Sequence, residues 1–246
     1  MSIKKHIPNS ITCCNLISGC IATCFAFFHD PELAMLWIII GAVFDFFDGM
    51  SARALSVTSP IGKELDSLAD DITFGVAPST ILFSELLVLD TPSFLAPVST
   101  YLPFVAYLMA AFSALRLAKF NLDARQSMGF IGMPTPANAL FWGSLIISCN
   151  EWFEGLNNAF VLLIALMLLS CWLLVSEIPM FALKFKQWGW RGNELRYSFI
   201  AISALILVVR IVENGKMGLL DGWWIIVALY LLVSCVSWLS TRNTHV

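Results

Sequence analysis

Charge is what this sequence lacks most. Only 13% of its 246 residues are Asp, Glu, Lys or Arg, while 59% are hydrophobic; a soluble domain carries about 25% charged residues. So few polar groups cannot cover a water-facing surface, and the bilayer is the expected solvent. Positive charge is scarce too: a net charge of −3 argues against nucleic acid as a partner, which calls for basic patches. The three histidines, His6, His29 and His245, lie outside the apolar stretches or at their edges, and none has a triad-like partner. The seven cysteines (Cys13, Cys14, Cys20, Cys24, Cys149, Cys171 and Cys235) make no CxxC pair and have no histidine at metal-ligand spacing. They read as small buried hydrophobes, not zinc ligands or redox pairs. No internal repeat is evident, and no segment between apolar runs is long enough for a separate domain. No cleavable signal peptide is evident either, so the first apolar run is expected to remain as a helix.

What the sequence has instead is apolar runs, with nineteen Phe and nine Trp suited to lipid contact and interfacial anchoring. A membrane span needs about 20 mostly apolar residues. Eight segments qualify: 10–29, 33–51, 62–88, 95–119, 134–150, 157–182, 196–213 and 222–240. The third and sixth are long enough to bend. The fold expected is an all-α polytopic membrane protein with about eight transmembrane helices. With the N-terminus inside, Lys4, Lys5, Arg53, Lys63, Arg116, Lys119, Arg125, Lys184, Lys186, Arg191, Arg196 and Arg242 face the cytoplasm, and only Arg210 and Lys216 face the other side. The bias of basic residues toward the cytoplasm makes both termini cytoplasmic.

The costly residues are acidic. In "DFFDGMSARALSVTSPIGKELDSLAD", Asp45, Asp48, Asp66 and Asp70 lie in or against apolar helices, with Asp71 adjacent. Each charge in hydrocarbon costs roughly 2.5 kcal/mol even on mild scales. Asp45 and Asp48 are three apart and share one helix face; Asp66 and Asp70 are four apart and share another, with Gly62 one turn back. Two helices joined by a short loop bring the four carboxylates together, and a divalent cation relieves their repulsion. All-oxygen ligands select Mg²⁺, Mn²⁺ or Ca²⁺ over zinc, and Mg²⁺ is commonly shared with substrate phosphates. Gly49, Ala52 and Gly62 keep the backbone open to a bulky ligand, and Arg53 offers a planar fork for phosphate oxygens. Ser59-Pro60 reads as a cap and first turn starting the third helix. Asp71 points about 100° away from Asp70 and is expected to pair or hydrogen-bond elsewhere. Carboxylates alone are equally compatible with a cation- or proton-coupled transporter, or with structural ion pairs.

Written out, the stretch is D-x2-D-G-x2-A-R-x8-G-x3-D-x3-D. It resembles the signature of the CDP-alcohol phosphatidyltransferases at all eight positions. The resemblance implies a six-helix membrane core, here residues 1–190, with 191–246 as two additional C-terminal helices; a homodimer; and an active site at the cytoplasmic face of the cell membrane. It implies that Asp45, Asp48, Asp66 and Asp70 hold one or two Mg²⁺ or Mn²⁺ ions, and that Asp70 acts as general base. It further implies that Gly49, Ala52 and Gly62 make room for the cytidine nucleotide, and that Arg53 contacts its phosphates. "PNSIT" matches an upstream family pattern and adds Asn9 and Thr12 near the nucleotide. A transporter does not explain why glycines, an alanine and an arginine stand at these fixed spacings, and a structural subunit leaves the carboxylates unexplained.

Four further stretches resemble the bacterial and archaeal membrane-type phosphatidylserine synthase branch: "ELDSLADDITFGVAPS" (64–79), "ALRLAKFN" (114–121), "GMPTPANA" (132–139) and "LLVSEIPMFALKFK" (173–186). This implies CDP-diacylglycerol as donor and L-serine as acceptor; glycerol phosphate and inositol phosphate are the rival acceptors, and they favour a more basic pocket. Lys119 stands where relatives commonly have Arg, which keeps the charge and loses the fork. Serine needs a cation for its carboxylate and acceptors for its ammonium. Arg116 is first choice for the carboxylate, against a plain interfacial anchor; Lys119 is three residues on. Asn121 reads as a site residue or a helix-end cap. Glu177 reads as buried, either accepting from the serine ammonium or pairing with a base. Thr135, between two prolines, reads as a turn or a pocket wall. Lys63 reads as an interfacial anchor and Arg125 as a topology charge.

Overall fold

A capping side chain followed by proline starts the two helices that carry the acidic residues. Asp30 accepts a hydrogen bond from the Leu33 amide at 2.9 Å, and Pro31 opens helix α2 (Pro31–Ala54), which follows α1 (His6–Phe27). Ser59 accepts from the Gly62 amide at 3.3 Å and Pro60 opens α3 (Pro60–Asp71), the start that the Ser-Pro pair predicts. The computed structural model describes residues 6–57, 59–123, 125, 130–181, 189–190 and 192–243, with side chains as far as Leu239. Lys4, Lys5, Lys184, Lys186, Arg191, His245 and the side chain of Arg242 lie outside the described residues.

The chain is an all-α polytopic membrane protein. After α3, a π turn (Ile72–Val76) leads without a break into α4 (Ala77–Val88). Helices α5 (Leu108–Leu122), α6 (Thr135–Glu154), α7 (Ala159–Val175), α8 (Glu194–Asn214), the short α9 (Gly218–Asp221) and α10 (Trp223–Asn243) follow. Among the described residues, five segments are long and apolar enough to cross a membrane: His6–Phe27, Pro31–Ala54, Pro60–Val88, Leu102–Leu122 and Glu194–Asp221. Ala159–Val175 and Trp223–Leu239 are shorter apolar helices.

Four of the eight expected segments differ: α6, the expected fifth span, is long enough but not among the segments apolar enough to cross, and three others change shape. The third widens into the π turn. The fourth does not begin at residue 95: Pro97 and Pro103 lack amide donors, and the chain runs as two 3₁₀ segments, Ser93–Val98 and Leu102–Tyr107, before α5. The sixth stops at Val175 and not at 182, because the residue before a proline avoids helical geometry and Pro179 stands four residues on. There the chain forms a two-stranded antiparallel ribbon, β1 (Phe130–Ile131) with β2 (Pro179–Met180), that pairs Phe130 with Met180.

Helices α1, α2 and the π turn approach closely at two glycines. A Cβ on Gly19 would lie 2.7 Å from the Thr73 Cα, and one on Gly41 2.6 Å from the Thr73 methyl; small residues permit such helix contacts in membranes. The main core gathers Ile38, Phe74, Leu82, Met109, Trp142 and Phe160. A second cluster joins α8 and α10 to the ribbon. The cysteines depart from the buried reading: all are free, only Cys171 is buried, and Cys13, Cys20 and Cys24 are exposed on a face of α1 over which none of the described residues packs closely.

Candidate active site

Three helices bring the carboxylates together. Asp45 and Asp48 lie one turn apart on α2, and Asp66 and Asp70 one turn apart on α3. One oxygen from each of Asp45, Asp48 and Asp66 lies within 4.8 Å of the others. The donor set is all hard oxygen, which fits a hard divalent cation. Asp70 stands outside this trio and lines the same cavity.

Helix α1 supplies the groups that hold the acids in place. The Thr12 hydroxyl donates to Asp48 Oδ2 at 2.6 Å, and Asn15 Nδ2 donates to Asp70 Oδ1 at 3.1 Å. Both residues are buried. Sequence reasoning named Asn9 and Thr12 and missed Asn15; the signal was its spacing of three from Thr12, which puts the two on one face.

The cavity measures about 860 Å³, and all eight signature positions line it together with Asn9 and Thr12. Gly49 and Gly62 do different things there. A Cβ on Gly49 would meet nothing closer than Arg53 Nη1 at 3.5 Å, so Gly49 leaves the cavity open. A Cβ on Gly62 would come within 2.9 Å of Asn9 Oδ1, so Gly62 also lets α3 close on α1.

The acceptor candidates divide between two spaces. Arg116 and Asn121 line the main cavity, Lys119 and Glu177 line an adjoining one of about 350 Å³, and Arg116 borders both. Arg116 is only 6% exposed, and its Nε and Nη2 have no hydrogen-bond partner among the described residues. Its guanidinium lies 5.1 Å from the Phe120 ring centroid and 5.7 Å from that of Phe130. Thr135, fully buried, also lines the main cavity with its hydroxyl unpartnered among the described residues. A buried arginine with free N–H groups is suited to take an anion.

Other expected roles change. Asn121 lies within α5 and does not cap it: its side-chain Nδ2 donates to Ser67 Oγ at 2.7 Å while its backbone carbonyl accepts from Lys63 Nζ at 3.1 Å, tying α5 to α3. Lys119 donates to the Val175 carbonyl at 3.4 Å. Glu177 is exposed, because α7 ends before it, and it pairs with Arg125 at 3.2 Å. Arg125 is therefore more than a topology charge; it also holds Asp123 at 2.7 Å, and the Asp123 carboxylate raises the pKa of its guanidinium. Asp71 neither pairs nor hydrogen-bonds among the described residues: its Oδ1 is buried where the helix widens beside Gly75.

Comparison with known proteins decides the family. The family model described as CDP-alcohol phosphatidyltransferase matches residues 5–183. This chain belongs to that family. It is similar to the CDP-diacylglycerol–serine O-phosphatidyltransferase of Bacillus subtilis, at 41% identity over 136 residues, 54% of this chain and 70% of that protein. It is 34% identical over 174 residues to the protein of the same name from Mycobacterium leprae, covering 71% of this chain and 57% of that longer protein. The Helicobacter pylori protein of that name is 28% identical over 234 residues, 94% of this chain and 90% of its own length. The cavity thus brings together acids grouped tightly enough for an ion, an arginine beside them on α2, and a second arginine on α5 with two nitrogens unpartnered among the described residues.

Proposed function

We propose that this chain is a phosphatidylserine synthase, transferring the phosphatidyl group from CDP-diacylglycerol to the serine hydroxyl and releasing CMP. The observation that carries the reading is the convergence of all eight signature positions and the unpartnered Arg116 on one cavity. Asp45, Asp48 and Asp66 would hold Mg²⁺ or Mn²⁺, as one ion or two. An ion bound there supplies charge neutralisation for the diphosphate and the departing CMP. Arg53 contacts the diphosphate. Gly49 and Ala52 leave space for the cytidine, with Asn9, Thr12 and Gly62 beside it.

Asp70 takes the proton from the serine hydroxyl. Asn15 fixes the carboxylate that receives it. The serine oxygen then bonds to the lipid-bearing phosphorus, and the bond from that phosphorus to the CMP oxygen breaks. Arg116 orients serine by its carboxylate. Lys119 and Glu177 belong to the wall of the adjoining cavity. The diacylglycerol stays among lipids while its headgroup is processed. The same reading has 1–190 as the catalytic core and 191–246 as an added helix pair, both termini cytoplasmic, and a homodimer in the cytoplasmic membrane.

The test is CMP release from CDP-diacylglycerol by the purified protein with Mg²⁺ or Mn²⁺, comparing serine, glycerol 3-phosphate, inositol phosphate and no acceptor. Serine- and metal-dependent release is expected, with Asp70→Asn slower by about 10²–10⁴-fold, the range for loss of a general base. Release with another acceptor in place of serine would keep the site and discard the alcohol.

A further inference from the structure

The family match ends at residue 183 and the signature lies wholly on α2 and α3, so neither accounts for α8 and α10. The cluster these helices form nevertheless packs against Phe130, which stands beside Arg116 on the cavity wall. The Tyr230 side chain of α10 is 9% exposed. Its hydroxyl donates to the Phe181 carbonyl at 3.0 Å, one residue beyond β2. Its ring centroid lies 4.8 Å from that of Phe181 and 6.0 Å from that of Phe199 on α8. Met180 of β2 and Met133, just past β1, are buried in the same cluster as Tyr230, Phe199 and Ile226.

The ribbon carries that bracing to the cavity. β1 presents Phe130, whose ring lines the main cavity beside Arg116, and Ile131, which lines the adjoining one. Two-residue strands are too short to hold themselves. Besides the strand pairing, the ribbon is tied by Gly132 N to Ile178 O and Met133 N to Leu173 O, both at 2.9 Å. Gly132 is the close contact: its φ is +76°, and a Cβ there would meet the Leu174 carbonyl at 2.6 Å. Arg116 itself lies within electrostatic reach of Asp70 on α3 and of the Tyr230 hydroxyl on α10.

We propose that α10 is a positioning element for the acceptor site, in which the Tyr230 hydroxyl fixes the ribbon that sets Phe130 against Arg116. The inference rests on reading this cavity as a phosphatidyl-transfer site. Tyr230 touches no reacting atom; it acts through the ribbon. With the ribbon held, the Arg116 fork is ordered before the acceptor arrives, and less freedom is lost on binding. The carboxylates depend instead on Thr12 and Asn15 of α1, so α10 acts on the acceptor and not on the metal or nucleotide.

Tyr230→Phe removes the donor and keeps the ring, and it is tested in the full-length protein in detergent. The acceptor KM, read with whichever hydroxyl acceptor the wild type uses, rises about three- to tenfold, the scale of one hydrogen bond. The KM for CDP-diacylglycerol and kcat stay within about twofold, since the mechanism leaves them to other helices. Amide exchange in 130–133 and 178–181 accelerates in the same variant, a measurement that needs no turnover. Unchanged ribbon exchange, an unchanged acceptor KM, or a parallel loss in both KM values and kcat with a lower Tm would each overturn the proposal; the last would make α10 a packing helix only. If wild type uses an acceptor other than serine, the synthase reading fails while the Tyr230 comparison is still decided on that acceptor.

Discussion

Helices α3 and α4 are the two halves of one 29-residue helical run, Pro60–Val88, and they bury themselves very differently. In α4, every residue from Ala77 to Leu86 is buried. In α3, only Ala69 is. The π turn between them is packed tightly, with Thr73, Phe74 and Gly75 buried, and Thr73 donates to the Asn15 carbonyl at 3.0 Å. The apolar half is a post set in the core. The polar half projects from it and presents Gly62, Asp66 and Asp70 to the cavity. A single helix thus has one end selected for packing and the other for chemistry, with substitutions at each end registering in different measurements.

The largest effect belongs to the polar end. Asp66→Asn removes one of three grouped carboxylates, and CMP release should fall by about 10³-fold or more, on the scale of losing a principal charge-stabilising group. Its effect on stability has the opposite sign. Without metal, relieving like-charge repulsion should stabilise the fold by about 0.5–2 kcal/mol, as commonly seen when a strained functional site is neutralised. Thermal melts in chelator, wild type against variant, check this; a variant that melts lower there would mean Asp66 has a structural role. Next is Thr12→Val, which deletes the hydroxyl bonded to Asp48 at 2.6 Å. Groups that orient a metal-binding carboxylate typically contribute 10–100-fold in metal affinity, so half-saturation of activity by Mg²⁺ should rise by that factor. Saturating metal should restore most of kcat.

At the buried end the expected loss is of stability. Gly19→Ala places a methyl 2.7 Å from the Thr73 Cα, and overpacking of a close contact costs about 1–3 kcal/mol. The readout is a lower Tm in detergent with Mg²⁺ half-saturation unchanged. A shift in metal affinity without a change in Tm would instead make the π turn part of the active site.

What the sequence made legible was mostly local. The spacing of Asp45, Asp48, Asp66 and Asp70 fixes which acids share a face, because helix geometry alone determines it, and Ser59-Pro60 marks the start of α3 for the same kind of reason. The π turn was not legible: Ile72–Val76 differs from ordinary helix only in bonding i→i+5 in place of i→i+4, and the close approach of Gly19 and Gly41 to Thr73 is a tertiary contact. Nor was the ribbon, since "FI" and "PM" are too short to show a strand period. The acceptor residues suffered most. Arg116, Lys119 and Asn121 lie in one stretch of sequence and Glu177 in a distant one, and which cavity each borders depends on where α7 ends and on the ribbon that pairs the α5–α6 link with the segment after α7, both tertiary matters.

The smallest expected effect tests that division. Glu177 is 67% exposed in its side chain and pairs with Arg125, itself 64% exposed. Exposed pairs contribute about 0–1 kcal/mol, and Glu177 borders the adjoining cavity and not the one holding the aspartates. Glu177→Gln keeps the shape and removes the charge. The serine KM should change by less than about threefold, and Tm by no more than a degree or two, in proportion to so small a contribution. Arg116→Lys is the contrasting variant: it keeps the charge, loses the fork and should raise the serine KM about tenfold or more, because a planar bidentate contact is not replaced by a point charge. Were Glu177→Gln the more damaging of the two, serine would bind in the adjoining cavity, with its ammonium on Glu177 and Arg116 reaching it from the opposite side.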